Sequence, residues 1–206
     1  MKTTKTNAFI SLCGLIQFVV IVFLMHFLRP DKNMFSSFIS EYAVGNFSWL
    51  MTIAFYALVF STALLLRGLL LTITSSKTSK ITLGIFCVGM LLVAIFPTDI
   101  PVEQPTASGL IHGFAALIAL ASLGISMLSW SFVFKKNYRF KKLAKPSLFF
   151  GVVSLLLLII FIASPILFRG LTQRFLLAWD TSWLIWASSH LYKDVPDVDK
   201  YSNSIQ

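Results

Sequence analysis

Asp99 and His112 lie in the stretch FPTDIPVEQPTASGLIHG, residues 96–113, between two apolar runs. An imidazole next to a carboxylate is oriented and made more basic. Such a pair serves as a general base, and Ser40 is the hydroxyl it would activate as a nucleophile. The chemistry implied is hydrolysis or group transfer. Glu41, Tyr42, Gln173 and Arg174 are the residues suited to hold a ligand, Arg174 through a guanidinium fork that fits a carboxylate bidentately. Glu41, Asp99 and His112 are also the one set with metal-ligand chemistry. A single histidine and no C-x-x-C make a poor zinc site, so neither a metal nor another cofactor is expected. Haem held by His26 and His112 would rest on one histidine from each of two helices, a weak signal. Each residue also has a structural reading. Asp99 sits between Pro97 and Pro101 as turn residues do, His112 ties helices together, Arg174 snorkels to headgroups, and Glu41 is solvated.

The elements that position these residues follow from composition. Of 206 residues, 57% are hydrophobic and 12% charged, against about a quarter charged in a soluble domain. A small globule has too much surface to hide so much apolar area, so lipid is the solvent. Six apolar runs are present: Ala8–Leu28, Asn46–Leu66, Ile81–Pro97, Gly109–Phe134, Ser147–Phe168 and Gln173–Tyr192. Each is close to the roughly 20 residues that span a bilayer core. No segment alternates as a transmembrane barrel strand does. The first run is longer than a signal-peptide core and has no A-x-A site, so it reads as a retained helix. The fold expected is all-α, a six-helix transmembrane bundle. Residues 1–192 form one polytopic domain and 193–206 a polar cytoplasmic tail.

The net charge of +9 would suggest nucleic acid in a soluble chain, but the basic residues gather in short loops between apolar runs. That is a topology pattern. Thirteen of the 17 Lys and Arg, including the cluster KKNYRFKKLAK at 135–145, fall on one side; Arg29, Lys32, Arg169 and Arg174 fall on the other. A multi-pass protein of the cytoplasmic membrane with both termini cytoplasmic is expected. The 135–145 cluster also suits anionic lipid. Cys13 and Cys87 sit in apolar runs as small hydrophobes.

This topology brings scattered polar residues to one membrane face. Ser40, Glu41, Asp99, His112, Gln173, Arg174 and His26 all lie near it. Ionisable groups at membrane depth are costly and face a cavity or a partner. Met34, Phe35, Phe38, Ile39 and Tyr42 share one helical face. They predict either a short interfacial helix roofing the bundle or a helical lead-in to the second span. Asp180 lies two turns below Gln173 on the same face, near mid-membrane, where it needs a partner or water. Trp179, Trp183 and Trp186 form a stripe best suited to packing.

SEYAVGNFSWLM (40–51), GIFCVGMLLVAIFPTD (84–99) with IHGFAA (111–116), and RGLTQRFLLAWDTSWLIWASSHL (169–191) resemble the successive signatures of the six-helix bacterial and archaeal membrane family called domain-of-unknown-function 998. The resemblance implies a polar signature at Ser40, Tyr42, Asp99, His112, Gln173 and Arg174, with Gly45 and Trp49 fitting the second helix. Asp180 departs from it. No reaction comes with the resemblance. The function expected is binding of a lipid headgroup or small amphiphile in an outward-facing polar pocket, the partners being membrane lipid or a lipid-like small molecule. The alternative is a hydrolase or transferase acting on lipid at the outer leaflet through His112, Asp99 and Ser40. Transport ranks lower, since no inverted repeat is visible.

Overall fold

The computed structural model describes residues 2–100 and 105–195. Six long helices follow one another: α1 (Lys2–Leu28), α2 (Ser48–Thr72), α3 (Lys77–Ile95), α4 (Ala107–Lys136), α5 (Ala144–Ala163) and α6 (Ile166–Asp194). Among the described residues there is no strand. Each helix packs on the next and α6 returns to α1, so the bundle is a closed ring, with α2 also reaching α6.

α1 to α5 are long and apolar enough to cross a membrane. The chain is a multi-pass membrane protein. Phe23, Phe27, Phe60, Phe114, Phe132 and Phe149 point outward from the ring, while Leu15, Met25, Leu58, Leu65, Met127 and Trp130 fill its interior. This is the distribution expected when the surrounding solvent is hydrocarbon.

α6 has the length of a span, 29 residues, but not the apolarity. Its buried stripe explains the difference. Gly170, Gln173, Leu176, Asp180, Thr181, Trp183, Leu184, Ala187 and Ser188 face inward at helical spacing, so Gln173, Asp180, Thr181 and Ser188 are shielded inside the bundle.

Several helix bounds lie a turn or two from the sequence reading, α1 starting at Lys2 and α2 running to Thr72, and two of the differences bear on the site. The fifth helix ends at Ala163 and the sixth begins at Ile166, so Arg169 belongs to α6 instead of a loop. Pro165 sets this break: it cannot continue a helix and it fits immediately before a new one. The predicted amphipathic helix over residues 34–42 reduces to a 3-10 turn, Ile39–Ala43, whose Ser40 and Glu41 are buried while Met34 and Phe35 are exposed. The reason is the ion pair described below, which draws Glu41 inward. Lys193 and Asp194 extend α6, Val195 ends it as a buried residue, and residues 196–206 of the predicted tail lie outside the described residues.

Candidate functional site

Residues 29–47 cover one end of the ring, here called the capped face. Arg29, 6% exposed, organises this segment. Its Nε and Nη2 donate to the two oxygens of Asp31, both at 2.8 Å. Its Nη1 donates to the carbonyls of Val44 (2.8 Å) and Asn46 (2.9 Å). The Arg29 hydrogen bond holds the Asp31 carboxyl below the usual carboxylate range. Lys32 pairs with Glu41 at 2.9 Å, and the other Glu41 oxygen accepts the Phe38 N–H at 2.9 Å. Both side chains are nearly enclosed, so each charge depends on its partner.

α6 fastens the same segment from below. The Leu171 N–H donates to the Phe35 carbonyl (2.9 Å), and Gln173 Oε1 accepts from the Ile39 N–H (2.8 Å). Gly170 lies directly against the Ser37 and Phe35 carbonyls, leaving no room for a side chain.

Arg174 sits about 12 Å along α6 from Ile166, at 1.5 Å per residue. Its Nε donates to His26 Nε2 at 2.9 Å. Nη1 donates to the carbonyls of Ser37 (2.7 Å) and Gly170 (2.9 Å), and Nη2 to the Tyr42 hydroxyl (3.1 Å). His26 Nδ1 lies 2.7 Å from the Val22 carbonyl. A carbonyl only accepts, so Nδ1 carries the proton and Nε2 offers its lone pair to Arg174; His26 is the neutral Nδ1–H tautomer. All four acceptors of Arg174 are neutral. Among the described residues no carboxylate pairs with it, and one of its five N–H donors is left over.

Beneath this cation runs an open groove between α1 and α6, about 380 Å³ in volume. Val19, Val22 and Phe23 of α1 and Leu177, Ala178 and Ile185 of α6 give it apolar walls; His26 and Arg174 stand at its head. Its rim faces the hydrocarbon, with Phe23 62% exposed.

His112, Ser40 and Gln173 line a second, much smaller cavity of about 30 Å³, the space of a single water. Phe18, Ile39 and Leu177 wall both spaces. His112 Nδ1 lies 2.7 Å from the Phe96 carbonyl at the end of α3. This helix-end carbonyl lacks an intrahelical donor, so His112 donates Nδ1–H to it and presents Nε2 as an acceptor. Asp99 is engaged elsewhere. Its oxygens accept from the Thr106 N–H (2.9 Å) and hydroxyl (2.7 Å), and Thr106 in turn caps α4 by accepting the Gly109 N–H at 3.1 Å.

A family model described as Protein of unknown function (DUF998) matches residues 12–190. The chain belongs to this family. No curated protein and no solved structure matches it. In this DUF998 member, the polar residues singled out in the sequence divide into groups. Tyr42 and Arg174 meet at the groove head, and Ser40, His112 and Gln173 meet at the small cavity. Asp99 belongs to the α4 cap and Glu41 to the Lys32 pair. The Asp99–His112 dyad is not formed, because both Asp99 oxygens hold Thr106 and the available His112 proton holds Phe96.

Two residues central to this site stand out little in the sequence: His26 reads there as a weak haem candidate near the polar face, and Arg29 as a topology charge. The stretch RPDK (29–32) did carry a signal for Arg29, an acid two residues beyond a base where the chain must turn. Among the described residues no group of three or more His, Cys, Asp or Glu is placed to hold a metal ion.

Proposed function

We propose that this DUF998 protein binds a membrane lipid in the groove between α1 and α6, with an anionic headgroup at Arg174 and an acyl chain along the apolar walls. One observation carries this reading: a guanidinium with only neutral partners and one unused N–H stands at the head of an apolar, membrane-facing channel. A half-buried cation without an anion is costly, and a lipid phosphate supplies both the countercharge and acceptors for a guanidinium. The volume is in the range of ordinary ligand sites. His26 and Tyr42 orient the guanidinium, and the Arg29 and Lys32 contacts keep the cap in place above it. The basic residues gathered at the opposite end favour a cytoplasmic-membrane protein with that end inward and both termini cytoplasmic. The capped face then meets the outer leaflet.

The alternative, a hydrolase or transferase using His112 with Ser40, draws on their shared cavity. A 30 Å³ space admits water but no lipid carbonyl, and Asp99 does not orient the imidazole. Binding is therefore the better-supported reading.

Native mass spectrometry of the full chain extracted in mild detergent tests it. Wild-type protein should carry phospholipid adducts. Arg174→Gln and Ala178→Trp, which remove the cation and fill the groove respectively, should lose them. Equal adducts in all three proteins would overturn the reading.

A further inference from the structure

Asp180 is the middle residue of α6 and is 2% exposed. Neither of its carboxyl oxygens has a hydrogen-bond partner. The Ser154 hydroxyl of α5 faces it but also lacks a partner within hydrogen-bond reach. Ser154 in turn lies against Gly124 of α4, where no side chain holds the α4 and α5 backbones apart. Three oxygen atoms without a protein partner thus share one buried position in the bundle.

The helices packed on α6 bring no countercharge to it. The ionisable residues of the elements packed on α6 are Lys2, Lys5, Cys13 and His26 on α1, Glu41 and Tyr42 in the turn Ile39–Ala43, Tyr56 and Arg67 on α2, His112, Lys135 and Lys136 on α4, and Lys145 on α5. None of them is a hydrogen-bond partner of the carboxyl. On α6 itself Arg174 is six residues away and held at the groove head. An unpaired carboxylate at this depth is not tolerated in its charged form. Three oxygens also fall short of the six or more that a hard divalent cation such as calcium takes. A proton needs no such shell.

The surroundings close the position from both ends. One turn toward the capped face, Leu176 packs with Leu120 and Leu158 in a separate apolar cluster. One turn the other way, Trp183 is fully buried and donates Nε1–H to Ser147 Oγ at 3.0 Å. Trp179 donates Nε1–H to the Phe150 carbonyl at 2.9 Å. These two tryptophans, before and after Asp180 on α6, clasp it to α5 at Phe150 and Ser147, both on the N-terminal side of Ser154.

We propose that Asp180 is a proton-binding site, loaded in the closed bundle and exchanging its proton with water when α5 and α6 part at the tryptophan clasp. On opening, the carboxyl O–H bond breaks and the proton passes to water; on closing, a proton from water returns to the carboxylate. This does not depend on the lipid reading, since Asp180 does not line the groove.

Infrared spectroscopy of the full chain in lipid nanodiscs tests it through the C=O stretch of protonated carboxyl groups. At neutral pH the wild type should show this band, it should shift on transfer to D2O, and it should fade on alkaline titration. Asp180→Asn should lose one carboxyl's worth of the band. Trp183→Phe, which loosens the clasp, should speed the D2O shift several-fold. A band unchanged in Asp180→Asn would mean an ionised residue and overturn the proposal. So would a band that neither exchanges nor titrates, which marks a permanently sealed structural acid. If Asp180→Asn does not fold, the wild-type exchange and its acceleration in Trp183→Phe decide the question alone.

Discussion

Arg174 donates its Nε–H to Nε2 of His26 at 2.9 Å, joining the start of α6 to the end of α1 where the ring closes. Because His26 Nδ1–H is directed at its own helix, the ring can only accept from Arg174. His26→Phe preserves the bulk but removes the acceptor, leaving a half-buried N–H without a partner. The expected cost is about 1–3 kcal/mol, read as a lower thermal midpoint by tryptophan fluorescence in detergent. An unchanged midpoint would show that water replaces the imidazole without loss.

The Arg29 fork ties acid sensitivity to the cap. Asp31 has its carboxyl held below the usual range, chiefly by its hydrogen bond to Arg29. A depressed carboxylate contributes stability that is fully present above its unfolded value of about 3.9 and lost as pH falls through the folded value. Hydrogen exchange in residues 44–46 should therefore be flat from neutral pH down to about pH 4 and rise below it, beyond the ordinary pH dependence of amide exchange. Asp31→Asn should show the raised exchange already at neutral pH. Identical protection in the two proteins at neutral pH would remove Asp31 from the clamp.

The buried pair Lys32–Glu41 behaves differently from a surface ion pair. Removing one charge leaves the other enclosed and alone, which costs about 3–5 kcal/mol. Glu41→Gln should therefore destabilise the protein more than the double replacement Lys32→Met with Glu41→Leu, which removes both charges. A double-mutant cycle on thermal midpoints reads this directly; additive losses would contradict it.

These tests also mark where the sequence was informative. The bundle was legible because lipid imposes a strong constraint: six runs of spanning length, with charge almost entirely between them and Arg174 and Asp180 the exceptions. The capped face was legible as the place where polar residues meet. Partner choice was not. Asp99 and His112 are 13 residues apart and suggest a dyad, but Thr106 and the Phe96 carbonyl are nearer in space and carry unsatisfied helix-end groups that take precedence. Glu41 read as a ligand-binding or solvated acid because Lys32, nine residues earlier, counted only as a topology charge. Asp180 was visible as a costly residue, while the lack of any partner in the folded bundle depends on three-dimensional packing that no spacing encodes.

The Asp99–Thr106 arrangement predicts a stability effect without a binding effect. Thr106→Ala removes the α4 cap and should cost about 0.5–2 kcal/mol. Asp99→Ala should cost a similar amount, and the pair should be non-additive because both act on one hydrogen-bonded unit. Lipid adducts in native mass spectra should persist in both variants. Their loss in Asp99→Ala alone would return Asp99 to the binding site.

Gly170 provides the mechanical link between cap and groove. A methyl group there would press on the Ser37 and Phe35 carbonyls, and Ser37 is also an acceptor for Arg174. Gly170→Ala should lift residues 35–37 from α6, lengthening the Leu171 and Arg174 hydrogen bonds together. Such overpacking costs about 1–3 kcal/mol. Limited proteolysis should cut near Ser36 faster than in the wild type, and lipid adducts should weaken although no groove wall has changed. Faster cutting with undiminished adducts would separate the cap from the ligand site and leave Arg174 positioned by His26 and Tyr42 alone.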